Sequence, residues 1–258
     1  MKEQTQTRII ALVNHKGGVG KTTSVISIGS GLCALGKNTA VIDLDPQAQT
    51  TCGIGIKTHD NTGTVYELLK GEVPVECVIQ NRGKLKVIPS SLNLSGAEIE
   101  FSGLAGREYL LKENLQYLDS AEFVLIDCAP SLGLLTLNAL VAADEVFIPV
   151  QCEYLALQGM SKLLETIDIV KKRLNKKLAV TGVICTRYDS RKNLNKEVVG
   201  KIHEYFGEKV FDTLIRENVS LAEAPGFGKS IFEYKPESTG AEDYLALCKE
   251  ILAREEKP

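Results

Sequence analysis

The stretch Asn14-His15-Lys16-Gly17-Gly18-Val19-Gly20-Lys21-Thr22-Thr23 constrains the fold of this 258-residue chain more than any other. The apolar run Ile9 to Val13 before it reads as a strand, and Val25, Ile28, Leu32 and Leu35 after it recur at helical spacing. Strand, glycine-rich turn and helix, in that order, form the setting of a phosphate-binding loop. Glycines let the backbone bend around an anion so that consecutive N–H groups face its oxygens. The helix then begins beneath the phosphates with its positive dipole end toward them. In this pattern Lys21 reaches the β- and γ-phosphates, and the Thr22 hydroxyl is placed to ligate Mg²⁺. His15 stands where the usual motif has its first glycine, and a second lysine, Lys16, precedes Lys21 by five positions.

Two further strands end in acids. Thr39 to Asp43 is almost wholly apolar, as a parallel strand covered on both faces must be, and it runs into Asp43-Leu44-Asp45-Pro46-Gln47. Carboxylates at the carboxyl end of a strand lie on the edge where open α/β sheets bind ligands. Two aspartates beside a proline also suit a solvated turn. Glu122 to Asp127 closes four apolar residues on an acid, the Walker B arrangement, in which Asp127 supports the Mg²⁺ shell.

The alternation continues. Thr64 to Lys70 is a short helical candidate, Leu85 to Pro89 a strand, and Gly96 to Leu118 one or two helices. Glu145 to Val150 reads as a strand, followed by a helix with Leu163, Ile167, Val170 and Leu174 on one face. That helix ends in the basic run Lys171 to Lys177, which serves either as capping of the helix dipole or as a contact to a phosphate backbone. Then come strand Leu178 to Cys185, helix Asn195 to Phe206, strand Val210 to Ile215, and a last helix with Tyr244, Leu247, Cys248, Ile251 and Leu252 on one face. Repeated strand and helix predict an α/β fold, a mostly parallel twisted sheet with helices on both faces, in one domain over residues 1–258.

A net charge of −3 gives no global bias toward nucleic acid, so any such contact must come from a local basic patch. Seven cysteines with no C-x-x-C pair argue for reduced thiols and against a metallocluster carrier. Met1 to Thr7 lacks the apolar core of a signal peptide, and no apolar run approaches the ~20 residues needed to span a bilayer. A cytoplasmic protein is expected.

Several of these stretches together resemble the ParA-type partition ATPases of the ParA/MinD family. They are Lys16 to Thr23, Asp43 to Gln47, Val124 to Ser131, Pro149 to Tyr154 and Leu221 to Pro225, which spread the likeness from residue 8 to about 250. The Lys-Gly-Gly-x-Gly-Lys-Thr form matches that family's deviant P-loop. The resemblance implies ATP and Mg²⁺ bound by Lys16, Gly17, Gly18, Val19, Gly20, Lys21, Thr22 and Thr23. It implies an ATP-sandwich homodimer in which Lys16 of each subunit reaches the partner's phosphates. Asp45 then orients or deprotonates the attacking water, Thr22, Asp43 and Asp127 attend the metal, and adenine lies near Arg216 and Asn218. Relatives bind DNA non-specifically as ATP dimers and respond to a ParB-type partner, so association with the nucleoid is implied.

One departure bears on this. Relatives often read Ile-Pro-Arg-Asn-Val-Arg where this chain reads Ile215-Arg216-Glu217-Asn218-Val219-Ser220. Glu217 inverts a charge, which weakens DNA binding or moves it to Arg191, Lys192, Lys196 and the Lys171 to Lys177 run. The alternative is a membrane-associated positioning ATPase like MinD, which needs a basic amphipathic C-terminal helix. The tail Ala253 to Pro258 carries as many acids as bases, so no membrane partner is expected.

Overall fold

Seven strands form one sheet in the order β3-β4-β2-β5-β1-β6-β7 in the computed structural model, which describes residues 7–58, 63–115, 118, 121–154 and 156–254. The sequence readings of residues 1–6 and of the tail 255–258 lie outside the described residues. The strands are β1 (Arg8–Leu12), β2 (Thr39–Leu44), β3 (Gln80–Arg82), β4 (Leu85–Ile88), β5 (Phe123–Cys128), β6 (Glu145–Gln151) and β7 (Ala179–Thr186). All neighbours pair parallel except β3, which runs antiparallel to β4 at the edge.

Side chains alternate across β1 and so feed two cores. Ile10 and Leu12 join the helix α1 (Lys21–Ala34) and the Thr239–Ala253 helix on one face. Ala11 and Val13 join the helices Leu134–Ala142, Met160–Arg173 and Asn193–Phe206 on the other. Because β5 and β2 lie to one side of β1 and β6 to the other, connections from β1 and β6 diverge. That divergence opens a crevice at the carboxyl end of β1, where the glycine loop sits.

Two expectations need correction. Residues 210–215 do not form a sheet strand; isolated parallel bridges join Val183 to Val210 and Tyr188 to Arg216. Between them the amides of Asp212 and Thr213 donate to the Glu250 carboxylate (2.9 and 3.0 Å) on the last helix, which takes them away from β7. The 96–118 region breaks into short turns, Ala97–Glu100, Phe101–Gly103 and Leu110–Leu115, with Gly106 at φ 73° between the last two. The Leu134–Ala142 helix and β3 were absent from the sequence reading altogether.

Candidate active site

The loop joins β1 to α1 and is tied down at both ends. The buried Asn14 donates through Nδ2 to the Pro149 carbonyl on β6 (2.7 Å) and accepts the Lys16 amide through Oδ1 (3.0 Å). Thr186 at the end of β7 donates to the Val19 carbonyl (2.9 Å). Gly18 and Gly20 have φ of 75° and 89°, the left-handed region that costs a residue with a Cβ about 1 kcal/mol or more. A Cβ built on Gly17 or Gly18 meets nothing within 4 Å, so open space faces the loop. No side chain caps α1 at Gly20, and its first amides are left for another acceptor.

Lys21 is buried, and its Nζ donates to the Lys16 carbonyl (3.1 Å) across the loop. Burial holds its pKa below the ordinary lysine value, against the pull of Asp127, Cys128 and Asp45. Lys16 is half-buried at the opposite end of the same turn. Thr23 faces a neighbouring cleft.

Asp43 and Asp127 are paired in register on β2 and β5, and both are buried. Asp127 Oδ2 accepts the hydroxyls of Thr22 (2.8 Å) and Thr50 (2.6 Å), while its Oδ1 is buried with no partner among the described residues. Asp43 Oδ2 accepts the amide (2.8 Å) and hydroxyl (2.6 Å) of Thr51, and its Oδ1 accepts the Asp45 amide (3.2 Å). Burial raises both carboxyls, and the charge of Asp127 raises Asp43 further. Two buried acids with one orphaned oxygen and a hydroxyl beside them make an all-oxygen donor set that a hard cation fits. Mg²⁺ keeps most of its waters, and accordingly no three His, Cys, Asp or Glu converge on one point among the described residues. Asp45 is half-buried, with Oδ1 on the Gln47 amide (2.9 Å) and its carbonyl on the Ser90 hydroxyl (2.8 Å).

A cleft of about 390 Å³ opens beside the loop between Gly18, Gly20 and Thr23 on one wall and Arg216 to Val219 on the other. Ile215, Leu221 and Tyr244 supply apolar surface, and Tyr244 is fixed by the Ser24 hydroxyl (2.9 Å). Arg216 and Asn218 line it, but their polar ends are engaged. The Arg216 guanidinium bonds Asp243 (2.6 Å) and Glu242 (3.2 Å). Asn218 caps the Val219–Glu223 helix by accepting the Ser220 amide (2.9 Å) and donates to Thr239 (2.7 Å).

Of the basic residues, Arg191 chelates Asp189 through Nε and Nη2 (both 2.9 Å), and Lys192 and Arg187 flank Glu217 (3.5 and 3.2 Å). Lys196 is exposed on the first turn of Asn193–Phe206, at the same edge. The Lys171 to Lys177 run lies at the opposite edge. The Met160–Arg173 helix leaves the loop side and spans about 21 Å before β7 begins. The sheet thus separates the two basic groups, Arg191 to Lys196 and Lys171 to Lys177, that the sequence offers together as phosphate contacts. Asn14 opens the glycine-rich stretch and Thr186 follows a strand, but nothing in the sequence marks them as tethers of the loop, and only closeness to Asp45 marks Thr50 and Thr51, which hold the acids.

Residues 7–180 match the family described as "AAA domain". The chain is 44% identical over 254 residues to the chromosome partitioning protein ParA of Myxococcus xanthus, covering 97% of this chain and 90% of that protein. It is 46% identical over 249 residues to the sporulation initiation inhibitor protein Soj of Bacillus subtilis, covering 95% and 98%. A cobyrinic acid a,c-diamide synthase structure from Mycobacterium smegmatis, solved with an ATP analogue and magnesium, superposes with a TM-score of 0.87. It is 35% identical and covers 98% of this chain and 96% of its own.

Proposed function

This chain belongs to the ParA/Soj family of partition ATPases and is an ATP hydrolase working with Mg²⁺, and we propose that it acts as a DNA-segregation switch. In this reading Mg·ATP drives a homodimer, the dimer holds nucleoid DNA without sequence preference, and a ParB-like protein triggers hydrolysis. The whole of residues 1–258 is one ATPase domain in the cytoplasm. The observation that carries the reading is the pairing of Asp43 with the half-satisfied Asp127 directly beside Thr22 and the buried Lys21.

The residues divide the work. Amides of Gly17 to Thr23 and the Lys21 ammonium neutralise the phosphates, and Thr22 with Asp127 and Asp43 attends Mg²⁺ and its waters. Held by Thr22, Asp127 and Asp43, Mg²⁺ would supply positive charge against the charge that develops on the transferred phosphoryl group. Asp45, at the rim of the same edge, positions the attacking water and holds its proton. Lys16 reaches the partner's phosphates, so transition-state charge is stabilised only in the dimer. Arg216 and Asn218 shape the end of the cleft that takes the base. The apolar face of the last helix is packed on α1, which supports a non-membrane role.

The test is a DNA titration with ATP, ADP and no nucleotide at one stated salt concentration. Tight binding only with ATP is expected; equal binding in all three overturns the switch.

A further inference from the structure

The reading above leaves one loop residue without a role. His15 opens the loop, and its imidazole lies against Gly159, the residue from which the Met160–Arg173 helix starts. A Cβ on Gly159 would collide with Nε2 and sit 2.9 Å from Cε1. Gly159 also has φ 78°, so both backbone and ring contact call for glycine there. The Nδ1 of His15 is buried and has no hydrogen-bond partner among the described residues. Three ammonium groups act on the ring: Lys16 and Lys21 from the loop side, and Lys162 from the first turn of the helix. Burial and these three lysines keep the ring neutral below its ordinary value.

A triphosphate in the loop reverses that field. It sets several negative charges among the same ammonium groups, which favours a charged ring. We propose that His15 is a positioning residue that takes up a proton from solvent when a triphosphate fills the loop, turning occupancy into a positive charge against the start of the Met160–Arg173 helix. The helix's positive end and Lys162 both repel that charge, so the first turn seats differently with the loop full than with it empty. The inference rests on ATP binding at this loop.

Calorimetric titration of Mg·ATP in buffers of different ionisation enthalpy counts the protons. The wild type should take up roughly half a proton more per nucleotide near pH 7 than His15→Gln. Difference against the variant removes protons released at the acids. If both bind ATP with equal proton counts, the inference falls and the ATPase reading stands. If neither binds, both fall. Should the variant not fold, the His15 resonance of the wild type decides alone. With three histidines in the chain, the imidazole resonance of His15 can be followed against two internal references. Its midpoint should rise when a non-hydrolysable ATP analogue is added, and a midpoint that does not move overturns the inference. Lys162→Gln should raise the nucleotide-free midpoint.

Discussion

Asp43 and Asp127 face each other across adjacent parallel strands, and only one of the four oxygens, Asp127 Oδ1, has no hydrogen-bond partner among the described residues. Burial raises both of these acids, and the charge of Asp127 raises Asp43 further: Asp43 is pushed up to about 7 and Asp127 to about 6. In the unfolded chain they release their protons near pH 4. The folded state therefore binds more protons between about pH 4 and 7, and stability falls as pH rises through that window.

Asp127→Asn should stabilise the nucleotide-free chain at pH 8 by on the order of 1–2 kcal/mol, because an uncharged amide still offers Thr22 and Thr50 an acceptor. Thermal unfolding at pH 5 and pH 8 checks this, with a flatter pH dependence expected in the variant. Mg²⁺-dependent hydrolysis should be lost in the same protein.

Lys16→Ala should abolish partner-stimulated hydrolysis, by about 10³-fold if it acts as a trans-acting cation does. The loop's backbone and Lys21 remain, so equilibrium binding of an ATP analogue should persist. Turnover at the wild-type rate would remove the cross-subunit role.

With Asp45→Ala, hydrolysis should stop after binding and a dimer should accumulate. Gel filtration with Mg·ATP should then show a second, earlier peak that survives for hours. Wild type should return to the monomer position as ATP is consumed.

Neutralising Glu217 removes the acid beside Arg187 and one of the two acids beside Lys192, the other being Asp189 at 3.8 Å. Glu217→Gln should steepen the salt dependence of DNA binding by about one to two counterions, and Arg191→Ala should make it shallower by about one. Binding isotherms at four salt concentrations read both slopes.

How much of this was legible beforehand follows from the physics of each element. β2 and β5 are buried on both faces, so they are written as unbroken apolar runs, and the acids that end them stand out. The loop was equally plain, because glycines, lysine and threonine must fall in fixed order. Thr50 and Thr51 were hidden, since a threonine after a turn says nothing about which carboxylate it will meet. The Leu134–Ala142 helix is buried nearly all round and so carries no period to detect. In β3, Gln80-Asn81-Arg82 is polar throughout and is set in place by the turn at Gly83, φ 61°. The pairing of the basic residues is least legible: Arg191 with Asp189 and Lys192 with Glu217 are partnerships of folded loops, invisible in a net charge.

The bond from Lys21 to the carbonyl of Lys16 has a consequence for the resting enzyme. The carbonyl that accepts the Lys21 ammonium belongs to the loop itself, so the curve of the glycine turn is fastened by the chain's own hydrogen bond. A phosphate arriving there would take the place of that carbonyl at the same ammonium, exchanging one oxygen acceptor for another on a turn already curved to receive it.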